Sequence, residues 1–141
     1  MKTAIIYARA KAPDPNVTPE AIKMQVSACK EYAEKNEIQV TDIYWDIILN
    51  AQCQPLVWNK IINIPKPEFN YIIIYDYARI GRDHMKQIKD HRNLKNKGVR
   101  VITPFTELTE ESFKQEDEYD KILDCLDEYY KKLLQERRKS R

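Results

Sequence analysis

The chain has 141 residues and a mass of 16.8 kDa, which suits one domain and excludes two of ordinary size. Hydrophobic residues make up 43% and charged residues 33% of the sequence, so the chain can bury a core and is neither a disordered polymer nor a fibre. The formal net charge of +2 is too small to identify a partner. No apolar run approaches the roughly 18 residues that a membrane helix needs, and no hydrophobic leader follows Met1.

The cysteine and glycine contents exclude further classes of protein. Cys29, Cys53 and Cys125 form an odd set without CxxC spacing, which argues against a disulfide framework or a zinc knuckle and predicts reduced thiols in the cytoplasm. The only glycines are Gly81 and Gly98, so a glycine-rich phosphate-binding loop is excluded. We therefore expect neither a cofactor nor a metal.

The first half of the chain predicts a strand, a helix and a second strand. Residues 3–10 form a near-continuous apolar run, which is typical of a strand in a parallel sheet. Thr18 is a favourable N-cap and Pro19 a favourable first helical residue, so a helix is predicted over 19–35. The second predicted strand covers 38–46.

The following elements continue the alternation of helix and strand. A short helix is predicted over 55–63, and the strongest strand of the sequence over 69–76. The next helix, over 83–97, ends where Gly98 can adopt the left-handed conformation of a C-cap. A fourth strand is predicted over 99–103.

A last long helix begins after Thr109, which can serve as its N-cap. At about 30 residues it would span roughly 45 Å, more than the diameter of a domain of this size. Part of it must project or pack on another chain, so a homodimer formed through this helix is expected.

The alternation predicts an α/β fold, a three-layer sandwich with a mainly parallel sheet and a long C-terminal helix. We assign residues 1–108 to a resolvable α/β domain and 109–141 to the long helix, as parts of one structural unit.

Charge is divided along the last helix. Ten acidic residues lie between Glu107 and Glu128, and six basic residues between Lys131 and Arg141. The basic end is either a solvated face with favourable charges near a helix C-terminus or a phosphate-binding tail. In the second interpretation Arg137 and Arg138 contact DNA.

Cationic residues follow the predicted strands, at the edge where open α/β sheets bind ligands. Arg9 and Lys11 come at the end of the first strand, and Arg79 and Arg82 follow the third. Because arginine matches phosphate oxygens bidentately, a phosphodiester is the expected guest. The alternative is surface ion pairing of these cations. Its acidic partners would be Asp46, Asp76 and Asp83.

Two segments carry a resemblance to a known family. The sequence from Tyr7 to Lys11 resembles the Y-x-R-x-S opening of the serine recombinases, the resolvase and invertase family. The sequence 77–83 is similar to that family's D-R-L-G-R segment. Gln25 and Asp46 fall where the family has a glutamine and an aspartate, and the resemblance covers nearly the whole chain.

The resemblance implies a site that binds DNA phosphates. In the family a serine hydroxyl attacks a DNA phosphodiester without a metal, and arginines stabilise the charge. The resemblance assigns phosphate binding to Arg9, Arg79 and Arg82, and supporting active-site roles to Gln25 and Asp46.

The departures from the family pattern predict impaired cleavage. Lys11 stands in the place of the serine nucleophile, and an ammonium can bind a phosphate but cannot replace a hydroxyl in that chemistry. Ala78 replaces the family's aspartate and Gln54 an arginine. We therefore expect a recombinase-like domain that binds DNA and does not form a covalent adduct.

Two other interpretations stay open. The chain could be a non-catalytic oligomerisation or regulatory module, or a small enzyme acting on a phosphate ligand. His84 and His91 lie seven residues apart on one predicted helix, but a metal site would need further ligands.

Overall fold

The computed structural model of the chain describes residues 1–11, 19–50, 52–77 and 84–139, without the side chains of His84, Leu123, Arg138 and Lys139. The chain divides into two compact units, Met1–Thr106 and Glu107–Arg141. The elements in chain order are β1 Thr3–Lys11, α1 Glu20–Lys35, β2 Gln39–Ile48, α2 Leu56–Ile62, β3 Tyr71–Ile73, α3 His84–Asn96, β4 Arg100–Ile102 and α4 Glu110–Lys139.

The first unit is built on a four-stranded sheet of order β2-β1-β3-β4. Every pairing is parallel, which confirms the predicted α/β fold with a parallel sheet. The central strand β1 pairs with β2 along its whole length, from Thr3 opposite Gln39 to Lys11 opposite Ile48. On its other side it pairs with β3 only through Ala4 to Ile6.

Alternate residues of the strands face two helical layers, because successive side chains of a strand point to opposite faces. One face forms the main core with α2 and α3. Its buried members are Ile5, Tyr7, Trp58, Ile61, Ile62, Ile72, Ile74, Leu94, Val99 and Val101. The residues of opposite parity in β1, such as Ile6 and Ala8, are also buried. That face carries α1, which contacts β1 and β2.

Three strands differ in length from the prediction. β1 and β2 continue to Lys11 and Ile48, so Arg9, Lys11 and Asp46 lie within strands and do not follow them. The two ends extend together because they pair with each other. β3 is shorter than predicted, since its apolar sequence reports burial and not strand pairing. The backbone of Ile74 still donates to Ile102 O at 2.9 Å.

The helix ends follow local rules. α1 begins at Glu20 with Pro19 as N-cap (φ −65°, ψ 151°); the predicted cap, Thr18, lies outside the described residues. α3 ends at a left-handed Gly98 with φ +83°, as predicted, and Gly98 N donates to Lys95 O at 2.9 Å. Thr109 caps α4, because its Oγ1 accepts from Ser112 N at 3.1 Å.

The second unit consists mainly of the 30-residue helix α4. Large apolar side chains along it are exposed, at 39% to 67% of their surface. They are Tyr119, Ile122, Leu126, Tyr129, Tyr130, Leu133 and Leu134. Within the described ranges no helix is long and apolar enough to cross a membrane.

Candidate functional site

A hydrogen-bonded chain of three side chains lies in the carboxyl half of β1 and β2. Arg9 Nε donates to the Tyr7 hydroxyl at 2.9 Å, and that hydroxyl donates to Asp46 Oδ2 at 2.6 Å. Arg9 and Asp46 are register partners, and Tyr7 lies two residues before Arg9 on the same face of β1. The sheet therefore brings Arg9 and Asp46 together as predicted, with Tyr7 between them.

Asp46 also caps α2. The N-cap residue of that helix, Pro55, supplies no side-chain hydrogen bond. Instead Asp46 Oδ1 accepts from Val57 N at 3.0 Å and Oδ2 from Trp58 N at 2.9 Å, which satisfies main-chain donors that a helix start leaves over. With the bond from Tyr7, three donors point at one buried carboxylate.

Tyr7 is a buried tyrosine with a fixed hydroxyl. Its ring packs on Trp58 with centroids 4.9 Å apart, and the Arg9 guanidinium carbon lies 5.4 Å from its centroid, within cation–π range. Burial raises the pKa of the Tyr7 phenol well above its ordinary value of 10.0, while the neighbouring Arg9 opposes that rise. The hydroxyl consequently keeps its proton and can donate it to Asp46.

Gln25 holds the main chain of Arg9. Its Oε1 accepts from Arg9 N at 3.2 Å and its Nε2 donates to Arg9 O at 3.0 Å. Gln25 is 1% exposed. The main chain of Thr3 faces β3, because Asn70 N donates to Thr3 O; by the two-residue period, that of Arg9 faces the same side. The Gln25 amide thus takes the position that a longer β3 would occupy.

Lys11 ends β1, opposite Ile48, and is exposed. Arg9 and Lys11 are two residues apart on one strand, so their side chains leave the same face of the sheet. This puts two cations at one end of β1.

The other predicted site residues fall elsewhere. Arg79 and Arg82 lie outside the described residues, as do Ala78 and Asp83. Arg137 is exposed in the last part of α4 and belongs to the second unit. Arg138 is in the same helix, and its side chain is not described.

The histidines and cysteines form no metal site in the part of the chain that the structure describes, where no group of three or more His, Cys, Asp or Glu side chains could hold an ion. The ring of His91 packs on Tyr77 with centroids 5.4 Å apart. Cys29 is fully buried, and burial raises the pKa of its thiol to about 12, which disfavours the reactive thiolate.

The sequence analysis did not name Tyr7 as a site residue. A signal was available, because a tyrosine inside an apolar strand needs a buried hydrogen-bond partner for its hydroxyl. An acid on the neighbouring parallel strand could have supplied it.

Comparison with known proteins places the chain among recombinase domains. The family described as "Resolvase, N terminal domain" matches residues 4–141. A comparison with curated protein sequences gave no match.

Solved structures of recombinases share the fold. The N-terminal catalytic domain of TP901-1 integrase is 20% identical, with a TM-score of 0.72 over 94% of this chain and 98% of that one. A resolvase family site-specific recombinase from Streptococcus pneumoniae is 12% identical, with a TM-score of 0.68 over 94% and 92%. The C-terminal catalytic domain of ISC1926 TnpA, an IS607-like serine recombinase, is 19% identical, with a TM-score of 0.53 over 81% and 76%.

Proposed function

The chain belongs to the resolvase N-terminal domain family, and from this premise we propose that it binds the phosphodiester backbone of DNA as a serine-recombinase-type domain. The proposed site lies at the carboxyl end of β1, with Arg9 and Lys11 as phosphate ligands. Arg79 and Arg82 are assigned to the same site by their motif, and Arg137 and Arg138 to further backbone contacts. Gln25 and Asp46 support the site through Arg9.

The observation that carries the proposal is the restrained Arg9 guanidinium beside Lys11. Its Nε is held on Tyr7 at 2.9 Å, and Lys11 leaves the same face of the strand. Two cations fixed at a strand end repel each other, and a phosphate between them offsets that repulsion with charge-assisted hydrogen bonds. An arginine fork and a lysine point charge are both established phosphate-binding groups.

The proposal includes that this chain does not cleave DNA covalently. Lys11 stands where the family has its serine, and an amine at that position supplies no hydroxyl for a phosphoserine link. Ala78 and Gln54 remove two further polar groups of the family pattern. What then remains of the mechanism is binding and electrostatic stabilisation.

The test compares binding and cleavage on the same DNA. On a denaturing gel with supercoiled or nicked plasmid, the wild-type chain forms no covalent protein–DNA band, and Lys11→Ser recovers little or none. In a native gel or anisotropy assay, binding to duplex DNA weakens steeply with salt, because it rests on phosphate contacts. Arg9→Ala lowers the affinity by about tenfold, the effect of losing one charged hydrogen-bonding group.

A matched control is Lys2→Ala, which removes an exposed cation at the opposite end of the same strand and leaves the affinity unchanged. A covalent band from the wild type would contradict the absence of cleavage. Equal losses in Arg9→Ala and Lys2→Ala would contradict the assignment of the site. Tighter binding of mononucleotides than of duplex DNA would favour an enzyme acting on a small phosphate ligand.

The exposed apolar residues of α4 support a second part of the proposal, assembly into a homodimer through that helix. Tyr119, Ile122, Leu126, Tyr129 and Leu133 follow one another at spacings of three and four residues, the repeat of a coiled-coil seam. Such a dimer fits both a DNA-binding domain and the alternative of a regulatory module. Loss of DNA binding with intact dimers would favour the regulatory module.

A further inference from the structure

We infer that Tyr7 is a positioning residue, whose hydroxyl fixes the Arg9 guanidinium in the direction from which it binds a phosphate. The inference rests on the proposed function, because it names a residue that acts on the ligand only through Arg9. Tyr7 does not itself touch DNA in this account.

Arg9 is restrained at two separate points. Gln25 holds its main chain through both amide atoms, and Tyr7 holds Nε at the far end of the aliphatic stem. An arginine side chain has many rotamers and loses their entropy when it binds a ligand. Fixing both ends before the ligand arrives removes part of that loss from binding.

The Tyr7 hydroxyl can act as a fixed acceptor because its proton is already committed. It donates to Asp46 Oδ2 at 2.6 Å, and a hydroxyl has one donor and two acceptor lone pairs. Only lone pairs therefore face Arg9 Nε. Asp46 is in turn fixed by the main-chain N–H groups of Val57 and Trp58, so the direction of the hydroxyl is set by the start of α2.

The contact also selects which part of the guanidinium meets the ligand. Nε carries one of the five N–H donors of an arginine, and the two terminal nitrogens carry the other four. With Nε bound to Tyr7, the terminal nitrogens form the fork that matches two phosphate oxygens. Replacing Arg9 by lysine would keep the charge and lose this geometry.

The first test measures the restraint on Arg9 without DNA. In a ¹⁵N NMR spectrum, with the Arg9 Nε–H signal assigned by its loss in Arg9→Lys, we expect exchange with water at least about tenfold slower than for free arginine in the same buffer, as for a buried hydrogen bond. Tyr7→Phe removes the acceptor and brings exchange close to that of free arginine. Wild-type exchange as fast as free arginine, or unchanged exchange in Tyr7→Phe, would overturn the inference.

The matched control is Tyr32→Phe. The Tyr32 hydroxyl is part of the same unit, is also buried, and donates to Thr106 O at 2.7 Å. Tyr32→Phe therefore removes a comparable buried hydrogen bond far from Arg9 in the contact network. It should lower the thermal midpoint about as much as Tyr7→Phe and leave Arg9 exchange unchanged.

The second test is a double-mutant cycle on DNA affinity. Tyr7→Phe weakens binding about fivefold in the wild-type background and less than twofold when Arg9 is already alanine. Equal effects in both backgrounds, or an equal effect of Tyr32→Phe, would refute positioning through Arg9. A chain that binds no DNA but shows slow Arg9 exchange, lost in Tyr7→Phe, would refute the proposed function and leave the positioning role intact.

Discussion

Arg9 depends on side chains from two other elements for its conformation. Gln25 reaches it from α1, and Asp46 reaches it from β2 by way of Tyr7. Each of these polar groups is buried or nearly so, and each is satisfied by a partner with defined geometry. Buried polar groups of this kind contribute little while paired and cost much when a partner is removed.

The first prediction at this scale concerns Gln25→Ala. The substitution leaves Arg9 N and Arg9 O without their side-chain partner in a buried environment, so the free energy of unfolding should fall by about 1–3 kcal/mol. Urea denaturation followed by circular dichroism measures the change.

Gln52→Ala is the matched control, because Gln52 is exposed in a loop and its loss should change stability by less than about 0.5 kcal/mol. Similar losses in the two variants would contradict the role given to the Gln25 amide.

The sequence identified Arg9, Gln25 and Asp46 as related positions but not how they interact. Their motif placement indicated one site. The bonds depend on register: Arg9 faces Asp46 because the pairing of β1 with β2 shifts between Ala4 and Ile5. A shift of one residue moves a side chain to the opposite face, and nothing in the local sequence of β2 predicts that irregularity.

At the scale of the elements, the predictions of type were sound and the boundaries less so. All eight elements occur in the predicted order, since apolar periodicity and helix caps are local signals. The end of β2 was placed at Asp46 because a charged residue is typical of a strand end. Asp46 is instead tolerated inside the strand because α2 and Tyr7 supply its hydrogen bonds.

Gly98 provides the prediction for this scale. It ends α3 with φ +83°, and a Cβ there would meet no atom within 4 Å. The cost of Gly98→Ala is therefore one of backbone conformation alone, about 1–2 kcal/mol of unfolding free energy.

Gly98→Asn should recover part of that loss, because asparagine tolerates the left-handed region better than alanine. Thermal and urea unfolding of the three proteins give the order wild type, asparagine, alanine. Equal stability of the alanine variant and the wild type would show that the turn does not need the left-handed conformation.

At the scale of the whole molecule, the α4 seam predicts how the chain assembles. Leu126 is 55% exposed at the centre of the seam. Leu126→Glu puts a charge among apolar partners, so the dimer should weaken by at least about tenfold. Sedimentation velocity across the micromolar range measures it.

Lys121→Glu is the control, because Lys121 is exposed and lies outside the three-and-four spacing of the seam. It should leave the dimer in place, apart from a small effect of charge. A wild-type chain that sediments as a monomer throughout this range would contradict the assembly proposed for α4.

The short β3 has a consequence for solubility. Among the described residues β3 pairs with β1 only as far as Ile6, so the main chain of Arg9 would be an open strand edge without the Gln25 amide. Open edges act as templates for strands of other chains and lead to aggregation. One glutamine on a helix thus closes an edge inside the sheet, protecting the chain from intermolecular strand addition at the place where its cations must stay accessible.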